Sequence, residues 1–573
     1  MRSNILPLAA TLVGLLGASG TVASRCKPPP TPTPTVLLRA GTVIGAADHG
    51  VEYFRGIPYA QPPTGSLRLK PPVRLQKFNN GSVQATGLGP ACPQSTAVDI
   101  TPLLLEVLSL PEAADTLFFG SATGDVTEDC LTISVMRPKG TKAYAKLPVL
   151  FWIYGGGFEA GSPQMYNGSV LIPESVAQGK PMILVSVNYR LGAFGFLGGK
   201  EVLADGAANL GLLDQRLGLE WVADNIAAFG GDPDAVTIWG QSAGAVSVFD
   251  QLALFDGNNK YKGRPLFRGA IMNSGSITPT EPVDGVKAQG IFDTVLEAAG
   301  CAASGANAAK LECLRAVDFE TFYNASNSVP GYLTDNSLAF SYSPRPDGRI
   351  LTASPEVLAQ TGKYAAVPTI IGNQENEGTV FALFQSNITT EADLISYLHA
   401  VFFRNATREE VASLVATYPA NPDSPAGVGA SDSTYPEFKR LAAILGDWEY
   451  TFMARLLLES FPSKVPAWAY ESTYASGTPI LGTYHSTDIP RLYYKTDPVS
   501  TAIQDLYISF VNSLDPNKYK RGTPSSGYLT HWPRWQEKKQ SLELGANSTR
   551  LIDVNTRAAS YEYIRANLET LRL

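Results

Sequence analysis

The chain has 573 residues, of which 44% are apolar and 17% charged, with a formal net charge of −7. That composition excludes a disordered chain, and an acidic balance without a basic stripe excludes nucleic acid as a partner. The length allows several domains, yet Gly and Pro punctuate the chain evenly and neither a long polar linker nor an internal repeat interrupts it, so one large domain is expected.

Residues 1–24 hold Arg2, an apolar run from Ile5 to Leu16, and small residues around Ala18, Gly20 and Ala23, which reads as a secretory signal peptide. The rival reading, an uncleaved anchor, is opposed by the short apolar core and its Gly, Ser and Thr content. No later stretch is long enough to span a bilayer, so a secreted, extracellular protein without a transmembrane anchor is expected. Residues 25–35 include Pro28-Pro29-Pro30-Thr31-Pro32-Thr33-Pro34-Thr35 and read as an extended Pro/Thr-rich tether, leaving residues 36–573 as the folded domain. Sequons at Asn80, Asn167, Asn324, Asn387, Asn405 and Asn547 suit a glycosylated secreted protein. In an oxidising compartment the 5 cysteines point to two disulfides and one cysteine left over. Cys26 stands alone in the N-terminal tail, as a free thiol, an intermolecular partner, or a residue lost with the leader.

Further along, short β-branched runs read as doubly buried strands: Leu131–Val135, Val149–Tyr154, Ile183–Val187, Val236–Trp239, Gly269–Met272, Pro368–Ile371 and Ala467–Tyr470. Helical spacing separates most of them, as in Leu213–Val222. This alternation predicts an α/β fold with a mostly parallel central sheet and helices on both faces. Reactive groups in such sheets gather on the loops at the carboxyl ends of the strands.

On those loops, Tyr154-Gly155-Gly156-Gly157-Phe158 ends a strand with glycines that let the backbone approach a substrate closely. The N–H groups of Gly156 and Gly157, with that of Ala243, are the expected donors to an oxyanion. Ser242 lies in Gly240-Gln241-Ser242-Ala243-Gly244, directly after Ala235–Trp239 and before the helix-like Ala245–Phe249. A serine hydroxyl is lifted out of a sheet by a tight strand-to-helix turn, which leaves no room for Cβ atoms two residues to either side, and Gly240 and Gly244 meet that need. The pattern is a nucleophile elbow. Its acid and base should follow in chain order. Glu377 and Glu375 both follow the strand Pro368–Ile371, and local spacing leaves the choice between them open. Among the 4 histidines, His485 follows the strand Ala467–Tyr470 after a short polar loop and is the best-placed base. His49 lies in a polar turn, His399 in a helix-like apolar stretch, and His531 beside Trp532 and Pro533. This chemistry calls for no metal and no cofactor.

Phe54-Arg55-Gly56-Ile57-Pro58-Tyr59-Ala60, Glu128-Asp129-Cys130-Leu131, the glycine triplet, Asn209–Arg216, and Phe229-Gly230-Gly231-Asp232-Pro233 leading into the elbow resemble type-B carboxylesterases, the cholinesterase and lipase branch of the α/β-hydrolases. The resemblance runs from about Val36 to the C-terminus, and the segment Leu481–Ile489 looks closest to the large fungal lipases of the Candida and Geotrichum type. It implies Glu377 rather than Glu375 as the acid, and the disulfides Cys92 with Cys130 and Cys301 with Cys313. One departure stands out: the family usually has glutamate before the nucleophile, and this chain has Gln241.

Between Cys92 and Cys130, Thr101-Pro102 can open a helix whose Leu103, Leu104, Val107 and Leu108 form one apolar face, and Ser109 with Glu112 makes a capping box for a second turn ending near Leu117-Phe118-Phe119. The corresponding loop is a lid in the fungal lipases that the chain resembles; the other reading is a core-packing helix. A lid with an apolar face suits water-insoluble acyl or sterol esters at a lipid–water interface. The loop holds no tryptophan, which disfavours choline esters, since cholinesterases use one there. The expected activity is that of a secreted serine carboxylic-ester hydrolase acting through an acyl-enzyme, lipase-like in substrate. An esterase for small soluble esters and a catalytically silent adhesion module are the alternatives; intact Ser242, Glu377, His485 and glycine donors oppose the last.

Overall fold

The computed structural model describes residues 33–95, 125–419, 433–520, 522 and 525–573. The expected signal peptide, Cys26, most of the tether and the lid helices between Thr101 and Phe119 lie outside the described residues. Thr35, the last residue of the expected tether, already pairs with Ile44 in a small antiparallel ladder, and Pro34–Leu573 is one compact unit.

The apolar runs become strands in the expected places. The main sheet contains β1 (Ala46–Asp48), β2 (Val51–Pro58), β3 (Thr132–Pro138), β4 (Leu147–Ile153), β5 (Ile183–Val187) and β6 (Gly231–Gln241). It continues with β7 (Gly269–Asn273), β8 (Thr369–Gln374), β9 (Ala467–Ser472), β10 (Gln540–Leu544) and β11 (Thr549–Asp553). Their spatial order is β1-β2-β3-β5-β4-β6-β7-β8-β9-β10-β11. Every pairing from β5 across to β10 is parallel, whereas β1, β2, β3 and β11 add antiparallel edges. All residues of β5 and β7 are buried, and because successive side chains of a strand point to opposite faces, both faces of the sheet must be covered.

The predicted helix at Leu213–Val222 lies within α1 (Leu210–Asn225), which is buried nearly all round. That burial takes a carboxylate inside: Asp214 is fully buried and accepts hydrogen bonds from Arg190 at Nε (2.8 Å), Nη2 (2.7 Å) and the backbone N–H (3.0 Å). Removing either partner would leave an uncompensated buried charge, a loss of about 3–5 kcal/mol. The other helix that matters here is α2 (Ala243–Gly257), which begins directly after Ser242. Below the strand ends, the β4/β6 register sets Trp152 against Trp239 with ring centroids 4.3 Å apart, and Tyr493 stacks on Trp239 at 5.3 Å. This aromatic block ties the sheet centre to the short helix that follows His485. Among the described residues no helix is long and apolar enough to cross a membrane.

Candidate active site

At the carboxyl end of β6 the chain turns sharply. Ser242 holds φ 57° and ψ −132°, a strained conformation for a residue with a side chain, and its N–H donates to the Asn273 carbonyl at 2.9 Å. A Cβ on Gly240 would sit 2.1 Å from the Gly244 carbonyl oxygen, and one on Gly244 would sit 2.1 Å from that of Ile153. Backbone occupies both places, so the elbow closes only with glycine there.

The three groups expected to act together are brought together. His485 Nε2 lies 2.9 Å from Ser242 Oγ, and His485 Nδ1 lies 2.5 Å from Glu377 Oε2. Glu377 Oε1 accepts the Gln374 N–H at 2.7 Å, so the carboxylate is held from both sides. His485 and Glu377 are almost wholly buried. The residue after Glu377 must be glycine, because a Cβ on Gly378 would lie 1.9 Å from the Ala442 carbonyl oxygen. Glu375 points elsewhere: it is half-buried, and burial together with the nearby Glu543 raises its pKa above the ordinary carboxylate value. His49 is exposed and pairs with Asp48, and His399 lies in the helical turn Leu398–Phe402. None of these hydrogen-bonds to Ser242, whose hydroxyl meets His485 instead.

The glycine loop folds over the elbow. Gly156 and Gly157 have φ of 110° and 62°, and the Gly156 carbonyl accepts the N–H groups of Glu159 (3.0 Å) and Ala160 (2.9 Å). A Cβ on Gly155 would lie 2.5 Å from the Gln241 carbonyl oxygen, which measures how closely this loop packs on the turn. Ala243 is the first residue of α2, where helix geometry leaves N–H groups without intrahelical partners and the helix dipole favours negative charge. A narrow cleft opens at Ser242 between Gly156, Met165, Tyr166, Tyr332, Ser486 and Ile489. Its wall is mainly apolar.

Gln241, the departure from the usual pattern, is buried beside the imidazole. Its Nε2 donates to Ser486 Oγ at 2.8 Å and lies 3.2 Å from His485 Nε2.

Several buried polar residues that sequence reasoning passed over position these groups. Asn273, at the end of β7, accepts at Oδ1 from Trp239 Nε1 and the Tyr507 hydroxyl, both at 3.1 Å, and donates to Asp488 at 2.7 Å. Burial pushes the Asp488 carboxyl up to about 6. Asn376 exchanges bonds with Thr483, its Oδ1 accepting the Thr483 N–H at 2.8 Å, and so joins the Glu377 turn to the His485 loop. Glu159 is fully buried behind the glycine loop, accepts the Tyr332 N–H at 3.0 Å, and is pushed to about 8 by burial. A polar residue closing an otherwise apolar strand, as Asn273 closes Ala270–Met272, is the signal that could have found the first of them.

Both disulfides implied by the resemblance are present, Cys92 with Cys130 and Cys301 with Cys313. Just beyond Cys92, Gln94 accepts the Gly161 N–H at 2.6 Å and donates to the Gly161 carbonyl at 3.1 Å, while the Ser95 N–H donates to the Glu159 carbonyl at 2.7 Å. The disulfide-bounded segment is therefore rooted on the glycine loop.

Residues 32–564 match the carboxylesterase family. The chain belongs to that family. It is 50% identical to a secreted triacylglycerol lipase of Gibberella zeae over 551 residues, covering 94% of this chain and 91% of that protein. Lipase 1 of Geotrichum candidum is 38% identical over 525 residues, 88% of this chain and 90% of that one. The crystal structure of Aspergillus niger EstA superposes with a TM-score of 0.78 at 27% identity, over 94% of this chain and 99% of that one. Membership makes the fold an α/β-hydrolase and the protein a carboxylic-ester hydrolase, of the secreted, lipase-like kind represented by these fungal relatives.

Proposed function

We propose that the protein hydrolyses esters of hydrophobic acyl chains through an acyl-enzyme on Ser242. His485 Nε2 takes the Ser242 proton as Oγ attacks the ester carbonyl, and Glu377 holds His485 Nδ1–H and stabilises the imidazolium. The N–H groups of Gly156, Gly157 and Ala243 receive the negative charge that moves to the carbonyl oxygen. The imidazolium then protonates the departing alcohol. Water repeats the sequence on the acyl-enzyme and releases the acid, which restores Ser242.

The observation that carries this reading is the continuous contact Glu377 Oε2 to His485 Nδ1 (2.5 Å) and His485 Nε2 to Ser242 Oγ (2.9 Å), ending at the mouth of an apolar cleft. Met165, Tyr166, Tyr332 and Ile489 offer an acyl chain apolar surface, and burying each methylene contributes about 0.8 kcal/mol. The names of the fungal relatives support lipid esters as the substrate class. Rates across p-nitrophenyl esters of increasing acyl length, with an emulsified triacylglycerol included, test it. A preference for acetate and no turnover of the emulsion would transfer the enzyme to small soluble esters, while full activity in Ser242→Ala would remove the mechanism itself.

A further inference from the structure

Tyr450 belongs to no motif and takes no part in the triad, yet it lies against it. It sits in a π-helical turn, Asp447–Thr451, between the helices Phe438–Gly446 and Phe452–Ser460. Such a turn inserts an extra residue into a helix and redirects the side chain it carries, which is why π-turns recur at functional sites. Here the Tyr450 ring is delivered onto His485, with centroids 4.8 Å apart and planes at 37°. Phe381 closes the group, 5.1 Å from the His485 ring and 6.1 Å from that of Tyr450. Tyr450 is 2% exposed. Burial, with the Glu449 and Glu377 carboxylates, raises the phenol pKa well above its ordinary value, while the interaction of the hydroxyl with the neighbouring Ser242 opposes that rise. The phenol is therefore a proton-bearing donor throughout the working range. His485 Nε2, 2.9 Å away, takes only the proton of Ser242 and leaves the Oγ lone pairs free.

We propose that the Tyr450 hydroxyl is a catalytic hydrogen-bond donor to Ser242 Oγ, acting when Oγ is expelled from the acyl-enzyme. The proposal rests on the reading of Ser242 as the nucleophile. In deacylation, water adds to the acyl carbon and gives a proton to His485. The adduct then collapses: the bond from the acyl carbon to Oγ breaks, its electron pair goes to Oγ, and the imidazolium returns the proton there. Negative charge grows on Oγ as that bond breaks, and the phenol, still holding its own proton, closes on Oγ to donate a hydrogen bond to it, as catalytic contacts tighten on leaving the resting state. Acylation by a p-nitrophenyl ester differs. Nitrophenolate leaves without help, attack by Oγ limits the rate, and a donor on Oγ gives that attack no advantage.

The test is stopped-flow kinetics of full-length Tyr450→Phe with p-nitrophenyl butyrate, a change that keeps the ring against His485 and deletes one oxygen. The deacylation constant should fall about tenfold, as expected for loss of one hydrogen bond to a charge-bearing oxygen, with the acylation constant within about twofold of the parent. At steady state kcat and KM then fall together, and the p-nitrophenol burst approaches one equivalent per enzyme. An equal loss in both constants, the mark of a displaced His485, overturns the proposal, as does an unchanged deacylation constant. Retained turnover in Ser242→Ala would instead strike at the underlying mechanism, so the two failures are distinguishable.

Discussion

Replacing Gln241 with glutamate places a negative charge where relatives usually carry one. Ser242 and the Gln241 amide both face Nε2 of His485, at 2.9 Å and 3.2 Å. Gln241→Glu exchanges an amide donor, which favours the neutral ring, for a carboxylate, which favours the imidazolium, so both effects have the same sign. At 3.2 Å and an effective dielectric of about 20, two unit charges interact by about 5 kcal/mol, an upper bound of nearly four pH units. Relaxation of the carboxylate to about 5 Å leaves about 3 kcal/mol, and water in the cleft and the desolvation of a new buried charge reduce it further, so a shift of about one unit is expected. Because a protonated His485 cannot act as base, the acidic limb of kcat/KM moves to higher pH. The assay is the pH profile of kcat/KM for a soluble p-nitrophenyl ester, beside Gln241→Leu, which removes the donor without adding charge and should shift the limb less. The glutamate should also improve use of cationic esters relative to neutral ones. Superimposable profiles for parent and Gln241→Glu would refute the reasoning, since the carboxylate would then be uncharged or unfelt by the ring.

Glu377→Gln should lower kcat/KM by on the order of 10³-fold or more, because the amide cannot stabilise the imidazolium, whereas Glu375→Gln should cost little; the reverse ranking would reassign the acid. On a long-chain ester, activity should rise disproportionately once substrate exceeds its solubility limit, and Leu104→Ser with Leu108→Ser should blunt that rise; a flat parent response across the limit argues against an apolar lid. Stability should fall as pH rises from about 5 to 8. Burial raises Asp488 to about 6, and Glu159 and Glu449 to about 8. The native state therefore binds more protons than the unfolded chain above about pH 4, and the stabilisation is fully present below the unfolded values and lost as pH passes the folded ones. Glu159→Gln should flatten the decline, and a Tm that climbs across that range would contradict the assignment.

The central strands were legible because each is a short apolar run buried on both faces, as Ile183–Val187 shows. The sheet edges were not. Gln540–Leu544 and Thr549–Asp553 pair Glu543 with Arg550 and carry too many polar residues to resemble a buried run, although together they form a regular hairpin. Ser242 and His485 could be picked out because glycines and strand ends mark their loops, and Glu377 was preferred to Glu375 only through the family resemblance, but what holds these groups could not be read. Asn273 and Asn376 act through single side-chain bonds between segments far apart in the chain, and no local spacing encodes such a bond. The π-turn carrying Tyr450 is likewise a backbone irregularity within what reads as continuous helix.

Ser242, Glu377 and His485 hang from β6, β8 and β9, which stand in one parallel block with β7. Their alignment is a property of strand register and of the short turn that carries Glu377 and Gly378, so the long excursions from Asn273 to Thr369 and from beyond Gly378 to Ala467 can change length and composition without disturbing it, provided the few anchoring asparagines remain. Those excursions supply Tyr332, Phe381 and Tyr450, the side chains that surround the reacting atoms. Swapping whole excursions between relatives, with the strand block left untouched, is therefore a more promising way to re-aim this enzyme at a new ester than altering single residues around the serine.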